Sequence, residues 1–518
     1  MSTYKLTVLL IMDGWGIAPP SKGNAITSAS TPNFDFLQKN YPHSRLLASE
    51  ESVGLPKGEF GNSETGHLNL GAGYIVPQDV VIIDRAIADG SFFKKKALAD
   101  VFSHVENYHS NLHIIGLLSE AKVHSSLNHI LALLRAAKDR ACTRVHLHLF
   151  TDGRDSAPDS ALSYLKLIDE SLKKFGFGQI ESLIGRFYAM DRDKRWLRTE
   201  QAYNLLTAGE GDKIPAVQEA IIRAYKRKET DEFISPTSID SERKRFVPIG
   251  NNDGVIFFNF RFDRPRQLTE AFVNPRFSHF KRKKNPQNLF FITMTPYSKD
   301  MAVSGTIFPH LRVENPLARV ISQHGLTQFH LAESEKFPHV TYFFNGGQEN
   351  PFDREQWIEV PSPKVSTYDQ KPEMSAVEVT EILLERIATG KYNFILANYA
   401  NPDMVGHTGD LKAARKAISV VDKSLGQVIS AVLEQKGFLL VTSDHGNAEI
   451  MINSQTGAPD TAHNISPVPC IAVAPDLKDN SDVHLSDGVL ADIAPTILAA
   501  LGISQPAAMT GKNLLAED

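Results

Sequence analysis

Leu6-Thr7-Val8-Leu9-Leu10-Ile11-Met12 leads directly into Asp13-Gly14-Trp15-Gly16. A short apolar run that ends among glycines is typical of a buried β-strand followed by a turn. In open α/β sheets, ligands bind outside the carboxyl ends of the strands. Asp13 therefore stands at a position where a ligand-binding side chain is expected.

Two later runs repeat this arrangement in the last quarter of the chain. Phe394–Ala397 leads through a short turn to Asp403 and His407. Phe438–Val441 runs into Asp444-His445. All three strand-like runs thus end in side chains that can bind a metal ion.

This distribution predicts how the chain is divided. One of the three strands opens the chain and two lie near its end, so both ends are expected to fold into one domain. That domain would comprise residues 1–77 and 311–518, with residues 78–310 inserted as a second domain. Gly71–Gln78 and Val303–Arg312, which both contain Gly and Pro, are the expected hinges.

The rest of the chain alternates strand-like runs with amphipathic segments, and this alternation predicts an α/β fold with mostly parallel sheets. Further strand-like runs are Leu112–Leu118, Val145–Phe150, Val255–Phe260 and Leu289–Ile292. Helical segments are Ser126–Arg140, Asp159–Lys174, Ser375–Ile387 and Lys412–Leu433.

The composition excludes several classes of protein. With 518 residues, 42% of them hydrophobic, the chain has the make-up of a soluble protein of two domains. The formal charge of −5 offers no general attraction for nucleic acid or anionic lipid. Cys142 and Cys470 cannot form a disulfide framework, and no stretch approaches the roughly 20 apolar residues of a membrane span. Without a signal-peptide pattern either, we expect a cytoplasmic protein whose partners include neither nucleic acid nor membrane.

The candidate metal ligands form a set of three carboxylates and three imidazoles. One ion would use three or four of them, so two ions are the economical interpretation, and the mixture of oxygen and imidazole ligands suits Mn²⁺ or Zn²⁺. The alternative for any one residue is a turn or capping role, since Asp after a strand is common in turns. The set is Asp13, Asp403, His407, Asp444, His445 and His463.

A candidate nucleophile lies in Gly61-Asn62-Ser63-Glu64-Thr65-Gly66-His67. This segment is expected to open a helix, whose N-terminus favours an anion beside it. A serine hydroxyl is too weakly acidic to attack phosphorus unaided, and a nearby dication lowers its pKa. The alternative is that Ser63 caps the helix, with Glu64 nearby.

The segment between the chain ends is rich in arginines that follow strand-like runs. Arginine presents a planar fork that matches carboxylate and phosphate oxygens two at a time, so the set indicates a small substrate with several negative charges. Ordinary surface ion pairs are the alternative for any single pair. The motifs are Asp152-Gly153-Arg154-Asp155, Gly185-Arg186, Asp191-Arg192-Asp193, and Arg261 with Arg264; a lone His124 is a weaker candidate.

Together these motifs resemble those of the cofactor-independent (2,3-bisphosphoglycerate-independent) phosphoglycerate mutases, within the alkaline phosphatase superfamily. The resemblance extends over almost the whole chain. It also includes Tyr188-Ala189-Met190, Phe258-Asn259-Phe260, Glu335-Lys336 and Phe344-Asn345-Gly346-Gly347.

The resemblance implies an alkaline-phosphatase-like, doubly wound sheet domain with a second α/β domain inserted into it. It implies two Mn²⁺ ions, no requirement for bisphosphoglycerate, phosphoglycerate as the small-molecule substrate, and a chain that acts as a monomer. One ion would be held by Asp403, His407 and His463, and the other by Asp13, Ser63, Asp444 and His445. The substrate site would consist of His124, Arg154, Asp155, Arg186, Arg192, Arg261, Arg264 and Lys336.

The chain departs from the usual family pattern at four places, which puts the local loop geometry near His124 in question. Ala121-Lys122 replaces a Gly-Gly pair, and Ser126 replaces a second His. Phe262 replaces a Pro, and Asn464-Ile465-Ser466 replaces Thr-Thr-Asn.

In the mechanism that the resemblance implies, Ser63 attacks the phosphorus of 3-phosphoglycerate and the glycerate stays bound. Asp155 then acts as the base for attack by the 2-hydroxyl, and Lys336 stabilises the transferring group. Water must be excluded, so the domains are expected to close.

There are three alternatives: a metal-dependent phosphohydrolase, a sugar-phosphate mutase and a catalytically inactive metal-binding or phosphate-sensing protein. The arginine-rich insert argues against the first, and its motifs fit phosphoglycerate better than a sugar phosphate. Intact Ser63, Asp155 and Lys336 argue against an inactive protein.

Overall fold

The computed structural model describes residues 3–241, 245–309 and 313–515. The chain divides into two compact units, one comprising Met1–Gln78 with Arg312–Asp518 and the other Asp79–Leu311. Part of the expected second hinge, residues 310–312, lies outside the described residues.

Sixteen strands are described, in chain order: β1 Thr7–Met12, β2 His43–Leu47, β3 Leu112–Leu118, β4 Val145–Thr151, β5 Gln179–Gly185, β6 Asp212–Ile214, β7 Thr237–Ile239, β8 Gly254–Phe257, β9 Phe290–Thr293, β10 Gly305–Thr306, β11 Gln328–Glu333, β12 Glu355–Val360, β13 Phe394–Tyr399, β14 Phe438–Thr442, β15 Val468–Val473 and β16 Gly488–Val489.

The described α-helices are α1 Ala25–Ser28, α2 Pro32–Asn40, α3 Ser63–Ala72, α4 Asp79–Asp89, α5 Lys96–Tyr108, α6 Leu127–Asp139, α7 Ala161–Phe175, α8 Arg186–Ala189, α9 Trp196–Ala208, α10 Val217–Lys226, α11 Arg266–Val273, α12 Leu317–Gln323, α13 Ala376–Ala388, α14 Asn401–Gly406, α15 Leu411–Glu434 and α16 Ile493–Ala500. None of the helices in the described residues combines the length and apolar character that a membrane span requires.

The first unit is built on an eight-stranded sheet in the order β12-β11-β13-β1-β14-β15-β2-β16. Its five strands from β12 to β14 are parallel to one another. Leu10 of β1 lies opposite Ala397 of β13 and Val441 of β14. The three strands that end in candidate ligands are therefore neighbours.

The N-terminal and C-terminal segments of this unit are joined by a buried carboxylate. Asp422 of α15 accepts hydrogen bonds from the backbone N–H groups of Asn33 (3.2 Å) and Phe34 (2.8 Å). These groups lie in the first turn of α2, where the N–H groups have no partner within their own helix. The expected association of the two chain ends thus rests on a specific contact as well as on the sheet.

The second unit has its own eight-stranded sheet, in the order β10-β9-β8-β3-β4-β5-β7-β6. Strands β10 to β5 are parallel, and β7 is antiparallel to β5. The predicted fold class, an α/β sheet domain with a second α/β domain inserted, is confirmed. The run expected to continue to Phe260 ends at Phe257, since the side-chain Oδ1 of Asn259 accepts the N–H of Leu117 at 2.9 Å.

Candidate functional site

The carboxyl ends of β13, β1 and β14 bring three carboxylates together in the first unit. Asp13 directly follows β1, Asp403 lies in α14 after β13, and Asp444 follows β14 by two residues. All three side chains are buried. Lys336 comes three residues after β11, the other neighbour of β13, and is buried as well.

Asp403, His407 and His463 present three hydrogen-bond acceptors to one another. Asp403 Oδ1 lies 3.3 Å from His407 Nε2 and 3.2 Å from His463 Nε2, and the two Nε2 atoms are 3.0 Å apart. Each ring directs its Nδ1 at a backbone carbonyl, Thr461 at 2.7 Å and Gly61 at 2.8 Å. In the tautomers with the proton on Nδ1, both rings donate to these carbonyl oxygens, and three lone pairs converge where a cation fits.

A positive charge beside Asp403 stabilises the ligand set that it forms with His407 and His463. The hydrogen bond to Asp403 raises the pKa of His407, because a proton on that ring stands in for a cation beside the carboxylate.

The second predicted ligand set surrounds the Ser63 hydroxyl. Ser63 Oγ lies 3.0 Å from His445 Nε2 and 3.4 Å from Asp13 Oδ1. His445 Nε2 is 3.5 Å from both Asp13 Oδ1 and Asp444 Oδ2. The four predicted ligands of this set are thus adjacent, and burial lowers the pKa of His445 to about 4, which keeps its ring neutral and able to bind a metal.

Ser63 is the first residue of α3, but it does not cap that helix. The side chain of Asn62 accepts the N–H of Thr65 at 2.9 Å and supplies the cap. Helix α3 also approaches the loop after β14 closely, since a Cβ at Gly66 would lie 2.6 Å from the Asp444 carbonyl oxygen. The capping role considered for Ser63 is therefore filled by its neighbour, and the Ser63 hydroxyl points into the ligand set.

Lys336 links the two ligand sets. Its Nζ lies 2.5 Å from Asp13 Oδ1, 2.6 Å from Asp403 Oδ2 and 2.8 Å from Ser63 Oγ. Burial disfavours a charged lysine, but the carboxylates of Asp13 and Asp403 outweigh it and raise the pKa of Lys336.

One ammonium does not balance three buried carboxylates. Burial, reinforced by the Asp444 carboxylate, raises the pKa of Asp13 to about 7. A donor set of oxygen and imidazole atoms with this excess of negative charge fits divalent metal ions.

The structure also groups the predicted metal ligands with His67, which the sequence analysis did not select. The possible ligand atoms of Asp13, His67 and Asp444 lie within 4.8 Å of one another, as do those of Asp403, His445 and His463. His445 thus reaches both sets, and its Nε2 is also 3.9 Å from Asp403 Oδ1.

His67 was missed, although its spacing carries a signal. It stands four residues after Ser63 on the same face of α3. Its Nδ1 lies 3.0 Å from the Ser63 carbonyl oxygen and 3.2 Å from Asp444 Oδ2. The other ring nitrogen of His67, Nε2, lies 3.1 Å from Nδ2 of Asn398. The same Nδ2 donates a hydrogen bond to Asp13 Oδ2 at 2.8 Å. These two buried side chains orient ligands of the second set.

In the second unit, the carboxyl ends of β8, β3, β4 and β5 bring the predicted arginines together. Arg186 directly follows β5, and its NH1 lies 2.6 Å from Asp152 Oδ1 and 2.5 Å from Asp155 Oδ2. Asp152 Oδ1 also accepts the backbone N–H groups of Arg154 and Asp155, at 3.2 and 3.0 Å, and so shapes that turn. Arg154 NH1 lies 3.6 Å from Glu232 and is half-exposed.

The remaining arginines crowd one another. Burial lowers the pKa of Arg264, and the positive charges of Arg186, Arg192 and Arg154 lower it further. Arg264 NH1 donates to the carbonyl oxygen of Met190 at 3.2 Å. Several like charges held this close together favour an anionic ligand.

His124 lies between two carboxylates. Its Nε2 is 3.8 Å from Asp155 Oδ2 and its Nδ1 is 3.8 Å from Asp263 Oδ1. Burial, followed by the charge on Arg186, lowers the pKa of His124 to about 4, so the ring is neutral near pH 7. In the altered loop before it, Lys122 takes a left-handed φ of 57°, a conformation that the usual glycine adopts without strain.

The predicted site residues therefore form two groups, one in each unit. Lys336, predicted both to stabilise the transferring group and to bind substrate, lies in the first unit among the metal-ligand candidates. Asp263 was missed, although it lies between Arg261 and Arg264 in the chain.

Two family models match the chain. The model described as the BPG-independent PGAM N-terminus matches residues 83–299, within the second unit. The model of type I phosphodiesterase / nucleotide pyrophosphatase matches residues 310–494.

Relatives that match this chain over nearly its whole length are named as one kind of enzyme. The 2,3-bisphosphoglycerate-independent phosphoglycerate mutase of Acetivibrio thermocellus is 46% identical, over 99% of both chains. Phosphoglycerate mutase 1 of the same kind from Methanosarcina acetivorans is 48% identical, over 99% of this chain and 98% of the relative. The crystal structure of Leishmania mexicana phosphoglycerate mutase at low cobalt concentration matches with a TM-score of 0.71 and 31% identity, over 99% and 98% of the two chains. By identity over its full length, the chain belongs to the family of 2,3-bisphosphoglycerate-independent phosphoglycerate mutases.

Proposed function

We propose that the chain interconverts 3-phosphoglycerate and 2-phosphoglycerate through a phosphoserine on Ser63, with two Mn²⁺ ions and without bisphosphoglycerate. The observation that carries the proposal is the environment of Ser63 Oγ. It lies at the start of α3 and within 3.4 Å of the side chains of Asp13, His445 and Lys336. This environment supports Ser63 as the nucleophile, and the names of the relatives point to this reaction.

The two ligand sets supply places for the ions. Asp403, His407 and His463 would hold one Mn²⁺, and Asp13, Ser63, Asp444 and His445 would hold the other. When bound, the ions would lower the pKa of the Ser63 hydroxyl and offset negative charge on the phosphoryl oxygens.

In the first transfer, Ser63 Oγ forms a bond to phosphorus while the bond from phosphorus to the 3-oxygen of glycerate breaks. The N-terminus of α3 favours the anion that then sits on Ser63. The Lys336 ammonium, 2.8 Å from Ser63 Oγ, stabilises charge on the transferring group.

In the second transfer, the 2-oxygen of glycerate forms a bond to phosphorus while the bond to Ser63 Oγ breaks. Asp155 takes the proton of the 2-hydroxyl, and the arginines hold the glycerate carboxylate. Arg186 keeps the Asp155 carboxylate in place at 2.5 Å. The same glycerate has to be held until its 2-oxygen is phosphorylated.

The direct test couples 2-phosphoglycerate formation to enolase, starting from 3-phosphoglycerate with no bisphosphoglycerate present. We expect conversion that added bisphosphoglycerate does not accelerate. Inorganic phosphate is measured in parallel, because a phosphohydrolase with the same nucleophile would release it. Phosphate release without 2-phosphoglycerate would overturn the proposal in favour of hydrolysis.

Removal of metal is expected to abolish activity, and Mn²⁺ is expected to restore it better than Mg²⁺. Three imidazole ligands suit Mn²⁺, whereas Mg²⁺ prefers oxygen ligands and keeps its waters. As the pH falls, protonation of His407 competes with metal binding, because the hydrogen bond to Asp403 raises the pKa of His407. Elemental analysis and the coupled assay measure both effects.

A His463→Ala variant provides the control for ion count. His463 lies in only one of the proposed sets, so this variant is expected to hold one ion where the unaltered protein holds two. Full activity in protein shown to contain no metal would contradict the proposal.

A further inference from the structure

Asp263 is the common counter-ion of two of the predicted substrate-binding arginines. Its Oδ2 lies 2.7 Å from Arg192 NH1, and its Oδ1 lies 3.2 Å from Arg261 Nε. Arg192 follows α8 and Arg261 follows β8, so the aspartate joins two separate segments of the second unit. Because of the positive charge of Arg261 and the hydrogen bond from Arg192, the pKa of Asp263 is lowered even though burial opposes this.

The exposed fractions of these three side chains show that the arginines remain accessible to a ligand while the aspartate is largely buried. The Asp263 side chain is 19% exposed, whereas those of Arg192 and Arg261 are 47% and 48% exposed. One part of each guanidinium group is engaged by the aspartate, and the rest faces solvent. A guanidinium fork held at one end is pre-organised to receive a carboxylate or phosphate at the other.

Asp263 also faces His124. His124 Nδ1 and Asp263 Oδ1 are both buried, and among the described residues neither makes a hydrogen bond of good geometry, although Oδ1 forms the ion pair with Arg261. They are 3.8 Å apart, so a small movement would join them. A neutral imidazole donates from only one of its two nitrogens, so only one of the two carboxylates, each 3.8 Å away, can receive the proton of the His124 ring.

We propose that Asp263 is a positioning residue for the mutase reaction, an inference that rests on the proposed function. It fixes Arg192 and Arg261 as one anion-binding pair. Through these side chains it governs how tightly the glycerate part of the substrate is held. It does not itself contact the reacting atoms.

The test compares Asp263→Asn with the unaltered enzyme in the coupled assay. The substitution keeps the shape and removes the charge. Loss of a charge-assisted contact to each arginine is expected to raise KM for 3-phosphoglycerate by about tenfold or more. The effect on kcat is expected to be smaller, because Ser63 and its ligand set are untouched. A KM within twofold of the unaltered value would overturn the proposal.

A double-mutant cycle separates positioning from a general structural effect. If Asp263 acts through the arginines, Asp263→Asn adds little to the KM of a variant that already carries Arg192→Ala and Arg261→Ala. Full additivity would show that it acts by some other route and would overturn the proposal.

Asp240→Asn is the matched control. Asp240 is an aspartate of the same unit, 13% exposed, and pairs with Lys213 at 3.5 Å. This variant is expected to keep the KM of the unaltered enzyme. If Asp263→Asn does not fold, Asp263→Glu carries the test, because it retains the charge. Its KM should then lie well below that of the Arg192→Ala, Arg261→Ala variant, and an equal KM would overturn the proposal.

Failure of the proposed function would look different. It would appear in the unaltered protein, as absence of 2-phosphoglycerate formation, before any variant is compared. Binding of D-glycerate to metal-free protein, followed by calorimetry, gives a second measure that does not need turnover. We expect Asp263→Asn to weaken it by about tenfold, in step with KM.

Discussion

Replacement of Ser63 by alanine is expected to lower the mutase rate by at least about 10⁴-fold. Without the hydroxyl, no covalent phosphoryl intermediate can form at the start of α3. The fold should survive, because Asn62 supplies the helix cap. Among the described residues, the lost oxygen makes its side-chain contacts with Asp13, His445 and Lys336. Circular dichroism, thermal unfolding and the coupled assay measure these outcomes.

Two further measurements make this expectation specific. Protein quenched in acid after brief exposure to phosphate-labelled 3-phosphoglycerate should carry label on the peptide that contains Ser63, and the alanine variant should carry none. Thr65→Val removes another hydroxyl of α3, one that contacts Asn62 rather than the ligand set, and should keep most of the activity. Substantial turnover by purified Ser63→Ala would rule out the nucleophile assignment.

The positions of the carboxylates could be predicted because they depend on the backbone. A side chain that follows a parallel strand is carried to the carboxyl edge of the sheet, whatever its rotamer. Asp13, Asp403 and Asp444 meet because β13, β1 and β14 are neighbours, and three similar apolar runs already indicate such strands. The same rule applies in the second unit, where Arg186 and Arg261 follow parallel strands.

The choice of partners could not be predicted, because it depends on how helices and loops approach the sheet edge. Ser63 and Asn62 are both good capping residues, and nothing in their order shows which one caps α3. His67 reaches Asp444 because α3 packs within van der Waals distance of the loop after β14. Asn398 looks like an ordinary strand residue until its side chain is seen between Asp13 and His67.

Asp263 is a charged residue whose partners could not be predicted from the sequence either. In the chain it stands between two arginines, a pattern typical of solvated ion pairs, which contribute little. Its importance comes from a third arginine, Arg192, which lies more than seventy residues away in sequence and 2.7 Å away in space. Local spacing cannot reveal a contact of that kind.

Glycerate is expected to stay bound between the two transfers. In the proposed mechanism, the arginines and His124 would keep the small carboxylate in place, and the second attack would be effectively intramolecular. Orientation of this kind can lower a barrier by on the order of 5 kcal/mol or more. When unlabelled 3-phosphoglycerate turns over in excess labelled glycerate and is stopped well before equilibrium, little label should appear in 2-phosphoglycerate.

Asp155→Asn is expected to interrupt the cycle after the first transfer and to lower net turnover by at least about 10²-fold. The amide cannot accept the proton of the 2-hydroxyl, so phosphoserine accumulates on Ser63 and glycerate escapes. The variant also removes one restraint on Arg186, and Asp152→Asn controls for that change. Asp152 contacts the same NH1 atom at 2.6 Å. Its replacement by Asn removes the charge, but the amide oxygen can still accept the backbone N–H groups of Arg154 and Asp155 that shape the turn.

Asp152→Asn should therefore weaken substrate binding without accumulating phosphoserine, which separates the loss of a base from the loss of a held arginine. Mass spectrometry of the Ser63 peptide distinguishes the two variants directly. Rapid incorporation of labelled glycerate by the unaltered enzyme would mean that the organic product leaves in every cycle. The arginines would then serve only to admit substrate, water could compete for the phosphoserine, and the hydrolytic alternative would describe the protein better.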